Sequence, residues 1–157
     1  MSEFMPCALS ACESTAAVLN SYKMLVNRIF DYLKESGLPF KKNGFNLRWI
    51  DETSIPKIAK VVNFQRSVFG TKECISFTIN LGVLMEYGDQ PISPNIKEWE
   101  CPIRKRPASW TEKYPCDKWW DVTATTDLEA LYQELRLLTT ESIIPFFSKY
   151  TGNTCTF

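Results

Sequence analysis

Two segments dominate the pattern of this sequence, Lys60-Val-Val-Asn-Phe-Gln-Arg-Ser67 and Ile75-Ser-Phe-Thr-Ile-Asn-Leu-Gly82. In both segments apolar side chains alternate with amides and hydroxyls, as expected of neighbouring β-strands. The alternation directs one row of side chains into a core and the other row to the opposite face of the sheet. The polar row of these two strands consists of Asn63, Gln65, Thr78 and Asn80.

Helices are predicted on both sides of these strands, because apolar residues recur there at spacings of three and four. The first helix is predicted to begin at a capping box of Ser10 and Glu13, and the last at a capping box of Thr126 and Glu129. Pro145 is expected to begin a further short helix or turn, because it would break the helix before it. The apolar stripe of the first helix contains Val18, Tyr22, Leu25, Val26, Ile29 and Leu33.

Further strands are predicted from period-two patterns around the central pair. Residues 45–49 alternate before it, and the pair itself is expected to span residues 57–69 and 75–85. Residues 100–106 are predicted to form a short edge strand, and residues 117–123 a last strand. These segments predict a single antiparallel sheet of about four to five strands.

The order of these elements predicts an α+β fold, in which the N- and C-terminal helices pack on one face of the sheet. Residues 87–115 contain five prolines and are expected to form a long loop, since proline cannot occupy an interior strand. The chain is divided into an N-terminal lead (residues 1–13), one domain (residues 14–149) and a C-terminal tail (residues 150–157). The other face of the sheet is expected to be left to water or to a partner.

The composition indicates a packed globular domain, since 45% of its 157 residues are hydrophobic. Eighteen basic and eighteen acidic residues cancel, which argues against nucleic acid as a partner, because phosphate binding usually requires a basic excess. No apolar run approaches the roughly 20 residues that a membrane-spanning helix needs, so no membrane association is predicted. The N-terminus lacks the pattern of a secretory signal, and we therefore expect a cytoplasmic protein.

The cysteine pattern points away from a metal centre. The six cysteines include no Cys-x-x-Cys pair and the chain contains no histidine, so neither a metal nor a cofactor is predicted. Reduced thiols are the expectation in the cytoplasm. The spacing nevertheless leaves a disulfide between Cys101 and Cys116 open.

Several motifs together resemble a known family. They are Asn63-Phe-Gln-Arg-Ser67, Phe77-Thr-Ile-Asn-Leu-Gly82, Cys101-Pro-Ile-Arg104 with Arg106, and Trp119-Trp120. In this order they resemble an uncharacterised bacterial family, the domain of unknown function numbered four-three-zero-four. The resemblance covers residues from about 22 to 147. It implies no activity, cofactor or catalytic set.

Candidate catalytic groups are few. The absence of histidine removes the usual base of nucleophilic catalysis. Cys101 could be a thiolate activated by Arg104 and Arg106, since nearby cations lower the pKa of a thiol; a structural cysteine is favoured. Two pairs of acids could serve acid–base chemistry, although solvated carboxylates are common at such positions: Asp51 with Glu52, and Asp117 with Asp121.

The sequence therefore favours a small, soluble, non-enzymatic binding domain, of which an immunity-type protein that neutralises a protein toxin is one form. Its polar sheet face and proline-rich loop would contact a protein partner through directional amide and arginine hydrogen bonds and a tryptophan anchor. One alternative is an enzyme or small-ligand binder with a site between the sheet and residues 87–115, and a weaker one is RNA binding. The candidate binding residues are Asn46, Arg48, Asn63, Gln65, Thr78, Asn80, Arg104, Arg106, Trp119 and Trp120.

Overall fold

The computed structural model describes the backbone of residues 7–151 and the side chains of residues 15–151. It confirms the α+β class and the single antiparallel sheet. Residues 1–6 of the predicted lead and residues 152–157 of the predicted tail lie outside these residues, so that division of the chain stays a prediction. In chain order the elements are α1 (Cys7–Glu35), β1 (Lys41–Asn43), β2 (Asn46–Asp51), β3 (Ile58–Arg66), β4 (Ile75–Met85), a 3₁₀ helix (Glu98–Glu100), β5 (Ile103–Lys105), β6 (Trp120–Val122), α2 (Leu128–Leu138), a π-helical turn (Thr139–Ile143) and α3 (Ile144–Ser148).

Within the described chain, six strands form the sheet. Strands β1 to β4 follow one another in sequence order, and the outer edge of β4 pairs with both β5 and β6. β5 pairs with residues 81–83 of β4, and β6 pairs with residues 75–77. Residues 78–80 of β4 therefore face the segment that joins β5 to β6. The register places Asn46, Asn63 and Asn80 directly opposite one another on three adjacent strands.

The main core lies between the sheet and the helices. The apolar rows of the strands pack with α1 and α2, so both terminal helices lie on the same face, as predicted. Every residue of the predicted stripe of α1 is buried. Phe77 lies near the centre, where the centroid of its ring is 5.1 Å from that of Tyr22 and 5.6 Å from that of Trp120. These contacts fix the sheet on the first helix.

The opposite face of the sheet is divided into two halves. Residues 87–102 cover one half and bury a second, small apolar cluster beneath them. The expectation that this whole face is open is therefore wrong for that half. The other half contains the amide side chains. The buried residues of the small cluster are Ala59, Val61, Ile96 and Cys101.

The covering segment approaches the backbone of the sheet closely at Gly82. A Cβ atom at Gly82 would lie 2.8 Å from Cys101 Sγ and 3.0 Å from Cys101 Cβ. We expect Gly82→Ala to lower the free energy of unfolding by about 1–2 kcal/mol, because the covering segment must shift. Urea unfolding measures this change. In a Cys101→Ala background the closest atom is gone and the same substitution should cost less; an equal cost in both backgrounds would contradict the prediction.

Two helix starts differ from the prediction. The backbone is already helical at Cys7, the first described residue, so the predicted capping box of Ser10 and Glu13 lies inside α1 rather than before it. α2 is capped by Asp127 rather than Thr126, since the Asp127 carboxylate accepts a hydrogen bond from a first-turn backbone N–H at 3.0 Å. Aspartate is a better N-cap than threonine, and the capping-box spacing of Thr126 and Glu129 pointed to the wrong one of two neighbours.

The sequence did not predict strand β1, and it predicted that Pro145 would break a helix. β1 forms a hairpin with β2, and its turn begins at Gly44, whose φ of +64° suits a two-residue hairpin turn with glycine in the first central position. Pro145 lies in the first turn of α3, as predicted, but the backbone stays helical through the π-helical turn before it, so no break separates α3 from α2. The structure thus adds a three-residue edge strand to the predicted sheet.

Candidate functional site

A ladder of amide side chains crosses the open half of the polar face. Asn63 donates from Nδ2 to Asn46 Oδ1 at 2.9 Å, and Asn80 donates from Nδ2 to Asn63 Oδ1 at 3.1 Å. The Asn80 amide also donates to Gln65 Oε1 at 2.8 Å. Each amide is therefore oriented by its neighbour across the strands, and such connected networks stiffen the side chains in them.

Arg106 ends the ladder on the side of β4. Its Nε donates to Asn80 Oδ1 at 2.8 Å, and its Nη1 donates to the Asp117 carboxylate at 2.5 Å. Its Nη2 donates to Gln65 Oε1 at 3.4 Å, and its guanidinium carbon lies 5.5 Å from the centroid of the Trp119 ring. Charge-assisted hydrogen bonds and a cation–π contact thus fix the guanidinium.

The fold creates this arrangement at the gap between β5 and β6. Because no strand pairs with the middle of β4 on that side, the connecting segment approaches instead, and Thr78 Oγ1 donates to the Lys118 carbonyl at 2.9 Å. Ser109 from the same segment donates to Asp117. The hydrogen bonds from Ser109 and Arg106 hold the pKa of the Asp117 carboxyl below its ordinary value. Asp117 is therefore ionised at neutral pH and pairs with Arg106.

The ten predicted site residues fall into a buried group and an accessible group. The buried group consists of Arg48, Thr78, Asn80 and Trp120. Of the two neighbouring tryptophans, Trp120 belongs to the core and Trp119 lies beside Arg106. The structure brings most of the accessible group together around the ladder. The accessible group consists of Asn46, Asn63, Gln65, Arg104, Arg106 and Trp119.

A shallow depression adjoins the ladder. Arg104 donates from Nε and Nη2 to the two carboxylate oxygens of the buried Glu98, at 2.8 and 3.3 Å. Next to Glu98 in the 3₁₀ helix, Trp99 is 68% exposed. The depression thus adjoins the ladder through Asn80 and Arg106, and Trp99 is the chain neighbour of its lining residue Glu98. The depression has a volume of about 230 Å³ and is lined by Asn80, Glu98, Arg104, Lys105 and Arg106.

The structure contradicts a thiolate at Cys101. The side chain is buried, and its burial together with the nearby carboxylates of Glu98 and Glu100 raises the pKa of the thiol to about 11. Arg104 opposes this shift but is already paired with Glu98. Cys101 is therefore a protonated structural thiol at neutral pH. Cys101 and Cys116 are free thiols, so the disulfide left open by their spacing is not formed.

Three of the four candidate acids accept hydrogen bonds from neighbouring side chains. Asp51 accepts hydrogen bonds from Thr53 and Ser54. Burial alone would raise the pKa of Asp51, but these hydrogen bonds lower it below the ordinary value, which disfavours a role as proton donor. Asp117 and Asp121 have different hydrogen-bond partners, and neither shares one with the other. The geometry gives no support to either pair as an acid–base dyad.

Sequence reasoning missed the contribution of the 3₁₀ helix. Neither Glu98 nor Trp99 was among the candidate residues, although Glu98 binds Arg104 and Trp99 is prominently exposed. A tryptophan between two glutamates within a proline-rich segment is a signal that could have identified an exposed aromatic side chain. The pairing of Asp117 with Arg106 gave no sequence signal, because it depends on how the loop folds back.

Comparison with known proteins identifies the family. Residues 29–149 match the family model described as a domain of unknown function, DUF4304. The chain belongs to the DUF4304 family. The match confirms the resemblance seen in the sheet motifs, and it brings a family without an assigned activity. No curated protein and no solved structure matches the chain.

Two kinds of feature are absent from the described part of this DUF4304 chain. None of its helices between residues 7 and 151 is long and apolar enough to cross a membrane. Among the described side chains, no three histidine, cysteine, aspartate or glutamate residues are grouped so as to hold a metal ion.

Proposed function

We propose that this DUF4304 chain is a protein-binding domain whose contact surface comprises the amide ladder, Arg106 and the adjoining 3₁₀ helix. The observation that carries the proposal is an ordered ladder of amides beside a depression lined by Glu98, whose chain neighbour Trp99 is an exposed tryptophan. Tryptophan is enriched among the residues that dominate binding energy in protein interfaces. A partner that covers the Trp99 indole would remove a large apolar surface from water.

The polar part of the surface is already organised for binding. The amides of Asn46, Asn63 and Gln65 are held by their neighbours, and Arg106 is fixed by three hydrogen-bond partners. Side chains that are ordered before binding lose less conformational freedom in the complex. The remaining donors and acceptors of these groups can then recognise polar atoms of a partner in a defined geometry.

The shape of the surface favours a protein over a small molecule. The depression beside Arg106 has about 230 Å³, below the roughly 300–1,000 Å³ of typical small-ligand sites. Cys101 does not line this depression, so the three residues expected for an enzyme or small-ligand site do not converge there. RNA binding is favoured less, because Arg104 and Arg106 are already paired with carboxylates and the net charge is zero.

An immunity-type role is one specific form of this proposal. Such a protein would neutralise a protein toxin in the cytoplasm by covering a functional surface of the toxin. The products of genes adjacent to this one are therefore the first partners to test.

The proposal predicts a selective loss of binding in Trp99→Ala. The tagged full-length chain would be co-expressed with the products of adjacent genes, and the affinity of any co-purified partner measured by calorimetry. We expect Trp99→Ala to weaken binding by more than about tenfold, as for a central interface tryptophan.

Met24→Ala is the control, because Met24 is exposed on α1, on the other side of the sheet. It should leave the affinity unchanged. A partner that binds both variants as tightly as the wild type, or that loses affinity equally for both, would contradict this contact surface.

A further inference from the structure

A second site lies at the opposite edge of the sheet. There β2 continues past Lys41, the first residue of β1. Here a pocket of about 360 Å³ opens between the sheet edge and residues 94–95 of the long loop. It shares no lining residue with the depression beside Arg106. Its volume lies within the range of small-ligand sites. The lining residues that matter here are Lys41, Lys42, Arg48, Trp49, Ile50 and Glu52.

Arg48 is the central polar group of this pocket. It is only 7% exposed, and its Nε donates to the Ile96 carbonyl at 2.6 Å. Arginine carries five N–H donors, and among the described residues neither terminal nitrogen of Arg48 has a hydrogen-bond or ion-pair partner. A buried arginine that lines a pocket and makes one hydrogen bond, through Nε, keeps the fork of its terminal nitrogens for carboxylate or phosphate oxygens.

The register adds a second positive charge to the same place. Lys41 on β1 lies directly opposite Arg48 on β2, so both side chains project from the same face. Like charges directly opposite one another are destabilising. Lys42 also lines the pocket, and Glu52 is the single acidic residue lining it. Three cations against one carboxylate leave a local excess of positive charge that an anion would neutralise.

We propose that this pocket binds the oxyanion group, phosphate or carboxylate, of a small organic molecule. Arg48 binds the oxyanion through its terminal nitrogens, and the two lysines add electrostatic attraction. Trp49 and Ile50 form part of the lining and supply apolar surface for the organic part of the ligand. This site is independent of the protein-binding surface, and either can exist without the other.

Calorimetric titration of the full-length chain with phenyl phosphate and with benzoate tests this site. We expect at least one probe to bind with a dissociation constant below about 10 mM. Lys41→Glu should weaken that binding by about tenfold, because a lining cation becomes a repelling anion. Glu52→Gln should tighten it by about two- to threefold, because it removes the one lining carboxylate.

The matched control is Lys72→Glu, which makes the same change of charge on an exposed lysine in the loop between β3 and β4. It should alter the affinity by less than about twofold, since exposed charges are screened over distance. Binding of phenyl phosphate alone would assign the phosphate, and binding of benzoate alone the carboxylate; either supports an oxyanion site. Absence of binding by both probes, or equal losses in Lys41→Glu and Lys72→Glu, would overturn the proposal.

Discussion

Asn80→Ala is expected to lower the free energy of unfolding by about 3 kcal/mol, since a net contribution of about 1 kcal/mol is typical of each hydrogen bond. Asn80 is 4% exposed and joins the ladder to Arg106, because it donates to Asn63 and Gln65 and accepts from the arginine. The substitution removes the donor to Asn63 and Gln65 and the acceptor of the Arg106 hydrogen bond. Urea unfolding followed by tryptophan fluorescence measures the change.

The matched control for this substitution is Asn46→Ala at the outer end of the same ladder. Asn46 is half-buried and accepts one hydrogen bond, from Asn63. Its loss should therefore cost less than about 1 kcal/mol. If both substitutions cost the same, the ladder would not depend on Asn80 as its central member, which would contradict this prediction.

Glu134→Ala is expected to lower the free energy of unfolding by about 2–3 kcal/mol, because it leaves two donors beneath α2 without their acceptor. Glu134 Oε2 accepts from Trp120 Nε1 at 2.8 Å and from the Tyr114 hydroxyl at 2.9 Å. Trp120 and Tyr114 are both buried, so water cannot readily replace the carboxylate. Thermal or urea unfolding at pH 7 tests this expectation.

The control for Glu134 is the isosteric Glu134→Gln, which keeps an acceptor oxygen but cannot ionise. Burial alone would raise the pKa of Glu134, yet the hydrogen bonds from Trp120 and Tyr114 outweigh it and lower the pKa below the ordinary value. A lowered carboxyl pKa contributes stability above the unfolded-state pKa and loses it as the pH falls through the folded-state value. The wild type should thus exceed Glu134→Gln in stability at pH 7, and the difference should shrink below about pH 4. A difference that is constant with pH would contradict the role assigned to the carboxylate.

The central architecture could be predicted from sequence because strong periodicity determined it. The alternation over residues 75–85 corresponds to β4, and the stripe from Val18 to Leu33 corresponds to the buried face of α1. β1 could not be found in this way, since Lys41-Lys42-Asn43 contains no apolar residue to alternate. Its formation depends on the turn at Gly44 and on pairing with β2, neither of which periodicity reports.

The sites were less predictable because they depend on register and on loop folding. The alternation in the sequence predicted that the amides of β2, β3 and β4 lie on one face of the sheet. Their mutual hydrogen bonds also require Asn46, Asn63 and Asn80 to lie directly opposite one another, which alternation does not determine. The contact of Arg106 with Asn80 further requires the segment after β5 to return across β4. The pocket at Arg48 combines a strand that was not predicted with a loop from elsewhere in the chain.

The short outer strands of the sheet determine how another chain could associate with it. β3 and β4, with nine and eleven residues, are interior, whereas β1, β5 and β6 have three residues each. Strand addition requires a continuous row of unpaired backbone donors and acceptors along an edge. Such short edges, one of them bearing two lysines, resist edge-to-edge aggregation and intermolecular sheet extension. A partner of this domain would therefore have to recognise side chains on a face rather than continue the backbone ladder.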